Sequence, residues 1–455
     1  MRSTVPVLFC LAASAVVPTG GGAQEALPLI SVEVDLGAYG LAGPSEVRRG
    51  RVSVAYAPEG IRLGMYYLRE GSIPPRVTYP DPPPMPVSST LDRVETRQTA
   101  LWVWNTEELI RDLAEREVFL DFLEARGITR AFLYLAAAEG TSPSAGYIPF
   151  SSEEIGPLVA EMRARGTLAY ALDGDRDYVL PQNHAGVYRT VERLVEHNRA
   201  VPEEQRFHGV RYDIEPYLAQ GFQGPSRSLL LDGYVELIAG VSRIARVGGL
   251  AVAVDIPFWF DAPDEETGVY MEAVYQGRRA RVLEHLMSLV DDIAIMDYRT
   301  IAEGADGALA HALHELEMGE AMGVDVFVGV ETTRLVDEDL HTFFGPIREG
   351  LPPHGDLRWV VLEEGQDSRT RVWVVDSEEA LLELRERTVG ARFLRHWPAG
   401  RPIRVAADKQ SFHNLGRERM ERVTDTIVRH LIGAPAFAGL AFHDYRGLRE
   451  LLSRK

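Results

Sequence analysis

The sequence predicts an α/β fold: a (β/α)8 TIM barrel over residues 98–455, with a small N-terminal β segment and an α+β insertion between strand 7 and helix 7. Three observations carry this. Eight apolar runs of strand length alternate with stretches of helical periodicity, the pattern of parallel strands joined by crossover helices. Acids stand at the C-terminal ends of most of those runs, where barrel enzymes keep their chemistry. No Gly-rich phosphate loop follows the first run, which leaves an open doubly wound sheet without its usual signature.

In chain order, residues 1–24 read as a cleavable signal peptide: Arg2 is the positive start, Val5 to Val17 the apolar core, and Gly21-Gly22-Ala23 the small residues before a cut. The protein is therefore expected to be secreted or periplasmic. The apolar run is too short to span a bilayer and no later stretch is long enough, so stable membrane insertion is not expected. The only cysteine, Cys10, lies in this leader behind Phe9, so neither a lipid anchor nor a disulfide is expected. Leu29–Asp35, Arg51–Ala57 and Ile61–Leu68 alternate or are β-branched and make residues 25–72 a β segment. Seven prolines between Pro74 and Pro86 then mark residues 73–97 as a stiff, extended linker.

The barrel strands are read at Ala100–Trp104, Ala131–Leu135, Leu168–Asp173, Gly209–Ile214, Leu250–Asp255, Asp292–Tyr298, Asp325–Glu331 and Phe437–His443. The first helix opens at Asn105, which has capping-box spacing to Glu108, and runs through Glu124. Further helices are read at Glu153–Arg165, Tyr188–Asn198, Leu229–Arg246, Arg281–Val290, Ala308–Met322 and Arg417–Leu431. Between the seventh strand and its helix, residues 336–415 carry their own pattern of three strands and a helix, the α+β insertion.

A formal charge of −19 argues against nucleic acid and anionic membranes as partners, since both reward basic surfaces. Hydrophobic residues at 45% and charged residues at 25% are those of a globular chain rather than a disordered one.

The chemistry gathers at Val210-Arg211-Tyr212-Asp213-Ile214-Glu215-Pro216. Alternation along a strand puts Arg211, Asp213 and Glu215 on one face. Two neighbouring carboxylates push their pKa values apart, so one can act as an acid while the other stays charged, as glycosidic cleavage requires. The plain alternative is an Arg211–Asp213 ion pair holding a loop, which leaves Glu215 without a partner. The strand-end rule adds Trp104, Asp173, Asp255, Trp259, Asp297, Tyr298, Glu331, His443 and Asp444 as candidates.

The fourth strand, with Met296-Asp297-Tyr298 on the sixth, resembles the chitinase-like glycoside hydrolases of family 18, which end these strands in Asp-x-Asp-x-Glu and Met-x-Tyr. That family commonly carries an α+β insertion at the same place. The resemblance implies Glu215 as proton donor, Asp213 as the residue that orients and stabilises a substrate acetamido group, and Tyr298 as a hydrogen-bonding partner at the same centre. The chain departs from the pattern at His208, Arg211 and Arg299. Arg211 beneath Asp213 is expected to keep that carboxyl ionised, which counts against a substrate-assisted mechanism.

The Glu215-Pro216 pair with Glu331 also resembles the retaining barrel glycosidases, where a strand-seven Glu attacks the anomeric carbon and the two carboxyls stand about 5–5.5 Å apart. That clan usually has Asn before the acid, and here Ile214 stands there. The nucleophile is thus open between Glu331 and an arrangement built on Asp213.

Trp104 and Trp259 are candidate sugar platforms, and Asp173, Arg211, Asp255, Asp297, Arg299 and Asp444 candidate hydroxyl or substituent contacts. Asp173, Asp175 and Asp177 have the alternate spacing of a calcium loop without its closing Glu, and no metal or cofactor is expected. The expected partner is a carbohydrate. The competing class is a non-catalytic carbohydrate-binding barrel of the cell envelope.

Overall fold

The computed structural model describes residues 98–454 apart from 136–149, 220–221, 223–225, 264–269, 345–358, 376 and 399–402; ahead of them it describes 15–17, 30–34, 36, 43–47, 49–57 and 60–69. Most of the leader and the whole proline-rich linker lie outside these residues. Among the described residues, no helix is long and apolar enough to cross a membrane.

Eight parallel strands close into a barrel in sequential order. They are β1 (Gln98–Val103), β2 (Arg130–Tyr134), β3 (Leu168–Asp173), β4 (Gly209–Tyr212), β5 (Ala251–Pro257), β6 (Asp292–Met296), β7 (Asp325–Glu331) and β8 (Phe437–His443). The crossover helices are α1 (Leu113–Arg126), α2 (Ser152–Ala164), α3 (Pro181–Ala200), α4 (Arg227–Val247), α5 (Val282–Met287), α6 (Ala308–Met322) and α7 (Arg417–Leu431), with α8 (Tyr445–Ser453) closing the chain. Outward strand residues such as Leu101, Val210, Val252 and Ile293 bury against these helices. The predicted (β/α)8 barrel is therefore the fold observed.

The first helix differs from the expectation. Asn105 spends its amide on Glu108 (2.8 Å) and caps no backbone N–H, and the chain breaks after a short turn at Thr106–Arg111. Asp112 is the effective cap of α1, accepting from Ala114 N at 2.9 Å and Glu115 N at 3.1 Å.

Inside the barrel, side chains from alternate positions pack as a second core: Trp102, Phe132, Tyr170, Leu172 and Phe327 between small residues. Two cations are threaded through it. Arg130 binds Asp292 at 2.8 Å, and Arg211 binds both Asp292 and Asp255. The arginines lie on aromatic faces, Arg211 4.0 Å from the Phe132 ring centroid and Arg130 5.0 Å from that of Phe327. Two guanidiniums and two carboxylates thus neutralise one another in a column beneath the mouth.

The N-terminal segment and the insertion are interleaved rather than separate. Arg49–Ala57 pairs with Glu338–Phe344 of the insertion, and Ile30–Val34 pairs with Thr370–Val375. The result is a five-stranded and a four-stranded sheet, each built from both parts of the chain. Ala15–Val17, within the stretch read as a leader, pairs with Ile61–Leu63 at the edge of the larger sheet. The helix Glu378–Arg387 covers Val361 and Val375 of the smaller one.

Candidate active site

The mouth is built at the C-terminal ends of the strands. β4 stops at Tyr212, and Asp213 remains tied to β3 through its backbone N–H on the Asp173 carbonyl (3.0 Å). Asp213 and Glu215 are each partly accessible at the mouth and enclosed by protein elsewhere. Burial, then the charge of Asp255, lifts the Asp213 carboxyl to about 7 against the pull of a protonated His443 and of Arg211. Burial, then Asp213 and Asp255, holds the Glu215 carboxyl well above the usual range. The Tyr217 hydroxyl donates to Glu215 Oε1. Asp213 Oδ1 is buried without a hydrogen-bond partner, an acceptor still to be satisfied.

The opposite wall comes from β7, β8 and β1. Glu331 is wholly enclosed, with Oε1 accepting from Thr333 N (2.6 Å) and Oε2 bound to His443 Nδ1 (2.9 Å). Trp104 Nε1 lies 2.9 Å from His443 Nε2. An indole N–H only donates, so this contact requires an unprotonated Nε2 and the Nδ1–H tautomer pointing at Glu331. Burial also opposes charge on the ring, but the Glu331 carboxylate outweighs it and draws the imidazole up to about 9. Trp104 and Glu331 thus pull the ring toward opposite protonation states; the placement seen is that of the neutral ring. Tyr298 lies beside it with ring centroids 5.7 Å apart, and Trp104 packs edge-on against Tyr134 at 5.0 Å.

The structure brings together most of the residues singled out from sequence. Glu215, Asp213, Asp255, Tyr298, Glu331 and Trp104 share the mouth or its floor. Asp173 sits at the end of β3, accepting from Tyr178 Oη (3.0 Å) and Gly174 N (2.8 Å), and burial raises its pKa to about 6. Trp259 reaches the site through Tyr217, ring against ring at 4.9 Å, and keeps a partly exposed face.

Others are corrected. Arg211 does not pair with Asp213 and cannot touch a substrate: it has no exposed surface, and its guanidinium reaches sideways to Asp255 on β5 (2.5 Å) and Asp292 on β6. Asp213 is accordingly not held ionised by Arg211, because Asp255 stands between them electrically and burial acts the other way. Asp297 is enclosed and bound to His311 Nδ1 at 2.8 Å, while Arg299 is enclosed and bound to Asp306 at 3.0 Å. Neither faces the mouth. Asp444 caps α8 by accepting from Gly447 N at 2.8 Å. Glu331 has both oxygens engaged and lies behind His443, which removes it as a free nucleophile.

Sequence reasoning gave His443 only a minor part and missed Tyr217, which donates to the acid. The Glu331–His443 pair spans strands that are 112 residues apart, and no local pattern announces it. Among the described residues, no group of His, Cys, Asp or Glu is arranged to hold a metal ion.

The ends of β3 and β4 approach so closely that Gly174 has no room for a side chain: a Cβ there would sit 1.9 Å from the Asp213 carbonyl oxygen. Gly174→Ala should therefore displace Asp213, costing about 1–3 kcal/mol from overpacking and about 100-fold in turnover from misplacement on the order of 1 Å. Thermal melts and steady-state rates of the purified variant check this, and wild-type values of both would refute it.

No protein-family model matches the chain, and no curated protein matches it in sequence. Among solved structures it is similar to a chitinase from Chromobacterium violaceum ATCC 12472, at 12% identity over 79% of this chain and 100% of that one, with a TM-score of 0.37. It is similar to the spore cortex-lytic enzyme SleL of Bacillus megaterium QM B1551, at 10% identity over 76% of this chain and 70% of that one, with a TM-score of 0.38. A group IV chitinase from Ostrinia furnacalis gives 11% identity over 79% and 99%, with a TM-score of 0.39.

Proposed function

We propose that this chain is a glycoside hydrolase in which Glu215 is the general acid and Asp213 stabilises the positive charge that develops at the anomeric carbon. The observation that carries this is the pairing itself. Glu215 sits at the barrel mouth, where burial and the neighbouring carboxylates Asp213 and Asp255 favour its protonated form, and repulsion within the pair keeps Asp213 and Glu215 from being charged together. Glu215 gives its proton to the glycosidic oxygen as the C–O bond breaks, and the bonding electrons leave with that oxygen. Water then adds to the anomeric carbon, and its proton returns to Glu215. The Asp213-Ile214-Glu215 and Met296-Asp297-Tyr298 motifs support a chitinase-like substrate, a β-linked amino-sugar polymer. Arg2 and the apolar Val5 to Val17 support export, and so a glycan outside the cytoplasm.

The same pairing sets the pH dependence. Activity is expected to rise as pH climbs through the Asp213 ionisation near 7 and to fall as Glu215 loses its proton at higher pH.

The test is digestion of chitin oligosaccharides, peptidoglycan and β-glucans by the purified protein, with products read by mass spectrometry. New reducing ends from one of these classes are expected. Products no greater than those of boiled protein across the panel would reject the hydrolase reading. Sugar binding that persists in Glu215→Gln with no products from either protein would mark a binding barrel instead.

A further inference from the structure

Asp255 is the one acid at the mouth whose carboxylate is gripped on both oxygens by donors that cannot reverse. Arg211 Nη1 meets Oδ1 at 2.5 Å and Trp102 Nε1 meets Oδ2 at 3.0 Å. The guanidinium and the indole offer only hydrogens, so both contacts suit the charged carboxylate. Asp255 has almost no accessible surface and cannot be a substrate contact. Its place in the barrel is nonetheless specific. Tyr212, the last residue of β4, is in register with Val254 on β5, and Asp213 and Asp255 are the residues that follow this pair. One of them is partly accessible and has an unpartnered oxygen; the other is hidden and held by two donors, and although burial raises its pKa, Arg211 and Trp102 favour its charged form.

We propose that Asp255 is a positioning residue for Asp213. Locked as a carboxylate by Arg211 and Trp102, it makes a second negative charge at the mouth costly, and so sets the pH at which Asp213 ionises and the enzyme begins to work. This rests on the hydrolase reading above, though the charge coupling can be measured without turnover.

The remaining groups around Asp213 do not supply this effect. On its own segment, Arg211 favours the charged form, and Glu215 is itself held toward its neutral form by burial and by Asp213. From β8, His443 favours the charged form of Asp213 only when its ring is protonated, and its partner Glu331 on β7 is enclosed behind it. Tyr134 on β2, Tyr298 just past β6 and Tyr234 on α4 are phenols raised by burial and by nearby acids, so they stay neutral where Asp213 titrates. Asp173 on β3 touches Asp213 only through its backbone carbonyl, and its own carboxyl is held by Tyr178 and Gly174. After burial, Asp255 is the principal influence raising Asp213.

The experiment is a titration of the Asp213 carboxyl by NMR on full-length protein labelled with 13C-carboxyl aspartate. It is run in a Glu215→Gln background, with the signal assigned by its loss in Asp213→Asn. Asp255→Asn should lower the Asp213 midpoint by about one pH unit or more, because a like charge disappears and Arg211 keeps only Asp292 as its counter-ion. Asp255→Glu retains the charge and should keep the midpoint high. Asp255→Ser serves if the Asn variant does not fold, as judged by circular dichroism. In the active background, the acid limb of kcat/KM should move down by the same amount, giving a roughly fivefold relative gain one pH unit below the wild-type midpoint and approaching about tenfold further down. A purely structural role would lower kcat at every pH and leave the limb where it was. An Asp213 midpoint that ignores Asp255 in a Glu215-dependent hydrolase overturns this inference alone. A wild-type protein without hydrolysis overturns the function and leaves the titration to decide the coupling.

Discussion

Glu215→Gln should abolish glycan hydrolysis while leaving the fold and substrate binding in place. Removing a general acid typically costs 10²–10⁴-fold, and the upper part of that range is expected because no second acid is placed to substitute. Asp213 titrates near 7 and is the nearest alternative, but it is the group assigned to the positive centre and cannot serve both ends of the bond. Gln is close in shape to the protonated Glu side chain and still accepts the Tyr217 hydroxyl through its amide oxygen, so the local packing is preserved. The variant therefore separates chemistry from folding. Its melting temperature should match the wild type, and its Kd for an oligosaccharide should stay within a few-fold, while kcat falls by about three orders of magnitude or more. A leaving group that departs without protonation, such as a nitrophenolate, should recover much of the lost rate, because it makes no demand on the acid. Turnover near wild type on a natural glycan would remove Glu215 from the mechanism.

How far the sequence carried this site can be judged residue by residue. Asp213 and Glu215 were legible because two simple rules meet there: alternation along a strand and the placement of chemistry at the strand ends. Tyr298 was legible for the same reason on β6. The reading of Arg211 failed in an instructive way. Its i, i+2 spacing puts it on the same face as Asp213, and that part was right. But a residue one layer down faces the barrel axis, where a long guanidinium finds acids on neighbouring strands sooner than the one above it. Its partners Asp255 and Asp292 lie 44 and 81 residues away. Asp297 and Arg299 flank Tyr298 and point to the outside, where α6 offers His311 and the loop leading into it offers Asp306. The interleaving of residues 25–72 with 336–415 was invisible for a related reason. Strand pairing between segments so far apart depends on edges that composition does not mark, whereas the barrel's order follows from sequence order.

The column beneath the mouth yields the largest expected effect on stability. Arg211→Met should destabilise the protein by about 3–5 kcal/mol, the usual result of leaving buried charge uncompensated. Arg211 has no exposed surface and joins Asp255 to Asp292, so its removal leaves Asp255 without a counter-ion and Asp292 with one fewer, beside Trp102, Phe132 and Tyr170. Arg130 still holds Asp292 from below at 2.8 Å, which keeps the loss from being larger. Met approximates the length of the arginine stem, so a cavity contributes little and the effect is electrostatic. Two further variants separate the causes. Adding Asp255→Asn to Arg211→Met removes the stranded charge and should recover a good part of the loss. Arg211→Lys keeps one cation but offers a point charge in place of a planar fork, so it should reach one carboxylate and not both, giving an intermediate loss. Urea unfolding followed by tryptophan fluorescence is a suitable readout, since Trp102 lies against the column and donates to Asp255 at 3.0 Å. A midpoint for Arg211→Met equal to wild type would mean that the interior acids take up protons at no cost. The column would then be a filler of space rather than the electrostatic floor on which Asp213 and Glu215 stand.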